Sequence, residues 1–318
     1  MPSLLPFPQR PEMDGSGLLL VEKGQGVTSF QVVAHLRRLL SVHKIGHGGT
    51  LDPLATGLLP ILVGEGTKLT QFLTEQDKEY EVTLLLGVKT DTLDVTGRVL
   101  EEQPVPDLTE DAIQGFLKCC LGEITQVPPM FSALHHQGRR LHELAREGVT
   151  VERQPRTVCI HAIELLELAL PRLSLRVACG KGTYIRSLCS DLGEAMGCGA
   201  TVERLVRTRV GRFTLAEAVP WRELVLLGDP GSLWDRLLPP EVALAHLPAV
   251  VLPEDAVVPF CHGQAVPSEG VNSDQLYRVM GHGIFLGVGV GTVQSTLRPI
   301  RLFHASTEKS RRHPAERA

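Results

Sequence analysis

Apolar positions along this chain fall into blocks whose spacing changes from two to about three and a half residues and back. GLLLVEK (17–23) is a short, nearly continuous apolar run before a glycine turn and predicts a strand. FQVVAHLRRLL (30–40) repeats its apolar residues at helical spacing, with Ser29 as a candidate cap. GEGTKLTQFLTE (64–75) predicts another short helix. YEVTLLLGVKTDTLDVTGRVLEE (80–102) is rich in β-branched residues and punctuated by glycine, so it predicts strands and a turn. LTEDAIQGFLKCCLG (108–122) is amphipathic, with Thr109 as candidate cap and Glu110 and Asp111 at the positive end of the helix. TVCIHAIELLEL (157–168) and RLSLRVACG (172–180) predict strands, and GTYIRSLCSDLGEAMG (182–197) a helix closed by glycine. Strands and helices alternate without strict βαβ spacing or a GxGxxG fingerprint, which predicts an α+β fold built on a mixed sheet.

Beyond that body the pattern changes. GSLWDRLLPPEVALAHLP (231–248) is interrupted by proline and reads as a linker with a short helix. AVVLPEDAVVPFCHGQAV, LYRVMGHGIFLGVGVG and LRPIRLF are short, β-branched and glycine-rich, which predicts a small β domain over 248–304. The proline-broken start, 1–16, and the polar end, 305–318, are expected to be loose tails.

The chain has 318 residues, 43% hydrophobic and 21% charged, which fits a globular protein and excludes a disordered one. No apolar run is long enough to span a membrane and no signal peptide is evident, so a cytoplasmic protein is expected. Seven cysteines, an odd number with no CxxC pair, argue against a disulfide framework and against a zinc ribbon. A net charge of −4 argues against a uniformly basic surface. Charge is nevertheless uneven: RLVRTRVGR carries Arg204, Arg207, Arg209 and Arg212 without an acid. Arg139, Arg140, Arg146, Arg153 and Arg156 cluster over 139–156 against three glutamates. A local basic surface on a neutral body is one reading.

One stretch stands apart: KIGHGGTLDPLATGLLP (44–60), with Asp52 after two glycines and before Pro53. Pro53 restricts Asp52 to extended backbone. Asp52 is then either a cap for a helix beginning PLATGLL, with Pro53 at its first position, or a reactive carboxylate on a stiff loop.

HGGTLDPLATGLLPILVGEGTKL resembles the active-site block of TruB-type pseudouridine synthases. Four further blocks resemble that family in its order: DKEYEVTLLLGVKTDTLDVTGRV, PPMFSALHHQGRRLHELAREG, GKGTYIRSLCSDLG and LVRTRVGRFTL. The resemblance implies the pseudouridine synthase fold: a mixed, largely antiparallel sheet flanked by helices. It implies a catalytic domain over 17–245, with a thumb-like RNA-contacting segment at 128–155, then a PUA-like RNA-binding domain. The implied reaction is isomerisation of the T-loop uridine of tRNA to pseudouridine, without cofactor or metal, by a monomer that needs no obligatory protein partner. Asp52 then matches the catalytic aspartate, Tyr80 the tyrosine that stacks on the base, and Arg186 the arginine that pairs with the aspartate. His47 matches a histidine set against the RNA, Lys23 a supporting lysine or phosphate contact, and Leu205 an apolar wall residue. Tyr184, Arg139, Arg140, Arg204, Arg207 and Arg209 are the remaining RNA-contact candidates. Against these roles stand ordinary ones: Tyr80 at a core edge, Arg186 on a helix surface, His47 in a loop and Leu205 in the core. The chain departs from the family pattern at Phe131, His135 and His142. Other readings are a guide-RNA-dependent synthase of the same family, a noncatalytic tRNA-binding protein, or a metabolic enzyme with incidental basic segments.

Overall fold

The computed structural model describes residues 15–227 and 231–303. The expected end segments, 1–16 and 305–318, lie outside these except for Gly15 and Ser16. Ser16 is buried, and its hydroxyl accepts the Glu65 N–H at 2.9 Å.

In chain order the first strands and helices are β1 (Gly17–Lys23), α1 (Ser29–Leu39), β2 (Ile45–His47), β3 (Thr56–Val63), α2 (Thr70–Thr74) and β4 (Lys78–Leu86). There follow β5 (Val88–Thr90), β6 (Val99–Glu102), α3 (Glu110–Cys119), β7 (Gly122–Gln126), β8 (His135–His136), β9 (Arg139–Arg140) and α4 (Leu141–Arg146). Next come β10 (Arg156–Ala169), β11 (Arg172–Cys179), α5 (Ile185–Ala195), β12 (Ala200–Val210), β13 (Phe213–Thr214), β14 (Val219–Pro220) and α6 (Trp221–Leu226). The C-terminal part holds α7 (Gly231–Trp234), β15 (Ala249–Val251), α8 (Glu254–Cys261), β16 (Val266–Pro267), β17 (Leu276–Gly281), β18 (Ile284–Gly291) and β19 (Thr296–Leu302).

The main sheet runs β14-β1-β3-β12-β4-β11-β10-β7, with β13 paired to β12 and β2 to β3. Only β1–β14 and β3–β12 are parallel within it. The fold is therefore the expected mixed, largely antiparallel α+β type. Its central strands read as unbroken apolar runs because both faces are covered. Leu19, Val21, Leu59, Ile61 and Val63 face one core, shared with α1 and α5. The alternate residues Leu18, Leu20, Leu58 and Leu62 face a second core, completed by Val288 and Phe303 from the C-terminal sheet. That sheet, β15-β17-β18-β19-β16, has the PUA-like form. Its docking is reinforced by Lys68, whose ammonium donates to Leu302 O at 2.6 Å. Among the described residues no helix is long and apolar enough to cross a membrane.

Local structure departs from the sequence expectation in four places. Thr28, not Ser29, caps α1: its side chain accepts the Gln31 N–H, and Gln31 answers to the Thr28 N–H. Ser29 is left to bond the loop described below. GEGTKLTQFLTE is not one helix but a 3-10 turn over Gly64–Leu69 followed by α2. PLATGLL is not helical, since the chain enters β3 at Thr56 and pairs with three strands. Within AVVLPEDAVVPFCHGQAV, the middle is helix α8 rather than strand. Pro253 starts it, Glu254 and Asp255 sit in its first turn, and Ala256, Val257 and Phe260 turn one face into the C-terminal core.

Helix α5 is held tightly against β12 because residue 193 is glycine. A Cβ there would lie 2.2 Å from Ala200 N and 2.3 Å from Gly199 C. Gly193→Ala gains at most about 1 kcal/mol of helix propensity. Overpacking against rigid backbone outweighs this, so a net destabilisation of about 2 kcal/mol is expected in urea unfolding. An unchanged or raised midpoint would contradict this packing.

Candidate active site

The loop between β2 and β3 is anchored on both sides of Asp52. Ser29 Oγ accepts the Leu51 N–H at 2.9 Å and donates to Leu51 O at 3.1 Å. Arg207, from β12, donates Nε to Leu58 O at 2.7 Å, Nη2 to Gly49 O at 3.0 Å and Nη1 to Thr50 O at 3.4 Å. Lys23, at the end of β1, donates to Gly24 O, Val27 O and Pro53 O. Gly57 lets the loop pass close to β12: its φ is +98°, and a Cβ would sit 2.3 Å from Arg207 O. Asp52 thus follows from a pinned backbone, not from a helix cap.

Lys23 and Arg207 are both fully buried, and the Lys23 ammonium is spent on backbone carbonyls. The expectation that Arg207 faces a phosphate is overturned. Its guanidinium is turned inward onto the loop carbonyls, because an unpaired buried carbonyl costs more than an exposed arginine gains.

The Asp52 carboxylate is one-third exposed. Oδ2 accepts Arg186 Nε at 2.8 Å and Oδ1 accepts Nη2 at 3.0 Å. This is the two-bonded fork that fixes both the position and the plane of a carboxylate. Arg186 is only 4% exposed, although it lies on a helix. Its other hydrogens go to Thr92 O and Phe131 O, each at 2.7 Å. Behind it stands Asp94, also buried, with Oδ2 3.9 Å from Nη1. Asp94 Oδ1 accepts from Thr92 Oγ1 at 2.9 Å, Thr96 N at 3.0 Å and Thr96 Oγ1 at 2.5 Å. One buried guanidinium is therefore shared by two carboxylates.

The exposed side of Asp52 opens on a cavity of about 440 Å³ whose lining includes Tyr80, Tyr184, Arg186 and Leu205. Tyr80 lies on β4, in register with Val177 on one side and Arg207 on the other. Burial raises its phenol above the ordinary range, so the ring is a neutral face. Leu205 supplies apolar wall and is 6% exposed. Tyr184, half-buried, also lines the cavity. Gln126 accepts its N–H at 2.8 Å and donates to its carbonyl at 3.0 Å, and Arg156 stacks 4.5 Å from its ring centre. Lys78 also lines the cavity, and burial lowers its ammonium to about 8.

Other expected residues lie elsewhere. His47 is half-buried on β2 opposite Ile61 and does not line this cavity. Burial, then the Arg207 charge, push its imidazole below the usual range. Arg139 and Arg140 are exposed on the β8–β9 hairpin, where His135 pairs with Arg140. Arg204 is exposed on β12, while Arg209 lines a different cavity, of about 690 Å³, between the two sheets. The departures at Phe131 and His142 have a structural account. Arg186 uses the backbone carbonyl of residue 131, whatever its side chain, and His142 Nδ1 lies 3.0 Å from Ser132 O.

Residues 37–185 match TruB family pseudouridylate synthase (N terminal domain), residues 186–245 the tRNA pseudouridylate synthase B C-terminal domain, and residues 248–303 the C-terminal part of pseudouridine synthase II TruB. The tRNA pseudouridine synthase B of Nitrosococcus oceani is 44% identical over 298 residues, 92% of this chain and 96% of its own. This chain belongs to the TruB family. The family's tRNA pseudouridine synthase B from Haemophilus influenzae is 44% identical over 286 residues, covering 88% of this chain and 91% of its own. Among solved structures, a chain of a Cbf5-Nop10-Gar1 complex superposes with a TM-score of 0.69 and 30% identity, covering 90% of this chain and 83% of that one. A chain of an H/ACA RNP bound to a substrate RNA containing 2'-deoxyuridine gives 0.69 and 28%, covering 91% and 85%.

The loop's buried lysine has a pH signature. Burial lowers the Lys23 ammonium from 10.5 to about 8, against the pull of the Asp52 carboxylate. Between these values the unfolded chain keeps a proton that the folded chain has released, so stability rises with pH there. The unfolding free energy of the native chain minus that of Lys23→Met is expected to grow as pH is raised from 8 toward 10.5. Urea titrations at each pH measure it, and a flat or falling difference would refute the assignment.

Proposed function

We propose that this chain is a tRNA pseudouridine synthase that acts alone, without a guide RNA, on the T-loop uridine at position 55 in tRNA numbering. The observation that carries the reading is the Asp52–Arg186 fork opening on a cavity with a neutral aromatic face. Isomerisation must break the bond from the ribose to N1, turn the base, join C5 to the ribose and remove the C5 proton. A placed carboxylate divides such a step by forming a covalent intermediate. Asp52 is that group, and Arg186 holds it in place and aimed at the cavity. Tyr80 stacks on the turning base, Leu205 excludes water and Tyr184 with Arg156 guides the strand at the mouth. The uridine must first leave its stack, at a cost on the order of a few kcal/mol. Phosphate contacts from exposed arginines, Arg139, Arg140 and Arg204 among them, offset that cost. We read residues 17–245 as the catalytic domain, 128–155 as its RNA-contacting segment and 248–304 as an RNA-binding module. Action on tRNA is supported by relatives of nearly equal length named tRNA pseudouridine synthase B.

The test is incubation of the purified chain with an unmodified tRNA transcript and no guide RNA, followed by mapping of pseudouridine by nucleotide. Conversion at the T-loop uridine is expected, and Asp52→Asn should lower it by at least about a thousandfold. Binding without conversion would favour the guide-dependent or noncatalytic reading; equal conversion by both proteins would remove Asp52 from the chemistry.

Asp94 acts through Arg186. Asp94→Asn keeps the shape but removes one of two charges on the guanidinium, letting the fork drift. A fall in kcat of about tenfold to a hundredfold is expected, with the tRNA Kd unchanged in filter binding. A weakened Kd with unchanged kcat would place Asp94 in RNA binding instead.

A further inference from the structure

On strand β10 a bulge between Ile160 and Ala162 sets His161 beside Cys159. Cys159 Sγ lies 3.5 Å from His161 Nδ1. The other ring nitrogen, Nε2, lies 3.1 Å from a carboxylate oxygen of Asp77, which comes from the link between α2 and β4. The carboxylate can only accept, so Nε2 carries the hydrogen and Nδ1 is free to accept from the thiol. Thiol, imidazole and carboxylate stand in line, and none of them belongs to the Asp52 machinery. His161 is 43% and Asp77 53% exposed, and Cys159 is half-buried. An exposed pair of this kind adds little stability. The line adjoins the cavity rim: a Cβ on Gly180, a lining residue, would sit 3.6 Å from Cys159 Cβ.

We propose that Cys159 is a modification site, a thiol made reactive by His161 and Asp77 toward small neutral disulfides. In the exchange its proton passes to His161 Nδ1, and Asp77 steadies the imidazolium through Nε2–H. The sulfur attacks one sulfur of the reagent; a new S–S bond forms and the reagent's own S–S bond breaks. The departing thiolate, now reduced, takes the proton from His161, while Cys159 ends oxidised as a mixed disulfide. Glu123 is the cross-strand neighbour of Cys159 on β7. Its negative charge favours a neutral reagent over an anionic one.

The test treats the full chain with limiting dithiodipyridine, quenches it and follows each cysteine by peptide mass spectrometry. Cys119 is the reference, because it is more exposed than Cys159 and has no side-chain hydrogen bond among the described residues. Cys189 is fully buried and reports unfolding. Cys159 should react about tenfold faster than Cys119 despite its lower exposure. His161→Gln and Asp77→Asn should each bring Cys159 to within about twofold of Cys119, with Cys119 unchanged and Cys189 unlabelled. A native Cys159 no faster than Cys119, or one indifferent to His161→Gln, overturns the proposal. Should a variant expose Cys189, the ratio in the native chain decides alone.

Discussion

The structure depends on one buried guanidinium. Arg186 sits inside the protein with four kinds of partner: the Asp52 carboxylate, the Asp94 carboxylate, Thr92 O and Phe131 O. A buried cation persists only where such partners saturate it. Those partners come from the loop before β3, the turn between β5 and β6, and the start of the 128–155 segment. Three stretches distant in sequence are thereby forced to one point on α5. Gly193, about two turns further along the same helix, brings α5 close to β12.

Around this pair the protein spends two further buried cations on neutral groups. Lys23 and Arg207 bond backbone carbonyls on either side of Asp52 and touch no carboxylate directly. The result is a loop without its own secondary structure that is as well tied as a strand. Burial, and after it the Arg207 charge, lowers both His47 and Lys78. Burial has the opposite effect on Tyr80, which is kept a protonated, uncharged ring. A carboxylate fixed by charge and a flat face kept neutral are the two things an isomerisation of a flipped base calls for.

Much of this was legible in the chain. Apolar periodicity placed β1, α1, α3, β10, β11 and α5, because each carries its pattern locally and needs only a core to face. Ordered blocks singled out Asp52, Tyr80 and Arg186, and the fold brings all three to one cavity. Asp94 escaped notice although its signal was present: TDTLD offers a carboxylate ringed by threonines, the mark of a buried, saturated acid. Arg156 was seen only as part of a basic run, and Gln126 and Lys78 not at all, because each acts through a contact more than twenty residues away or through burial.

By itself, then, the sequence determined which segments become strands and helices and which family they compose. Only the tertiary structure decided where the charges point. Arg204, Arg207 and Arg209 share one strand, yet one is exposed, one buried and one turned to a separate cavity. Bulges between Val202 and Arg204 and between Arg207 and Arg209 break the simple alternation that a linear reading assumes. Thr28 rather than Ser29 caps α1 because Ser29 finds a better partner in Leu51, twenty-two residues on. Such choices are set by which unpaired carbonyl or carboxylate the folded chain brings within about 3 Å. That distance exists only after the distant segments have met.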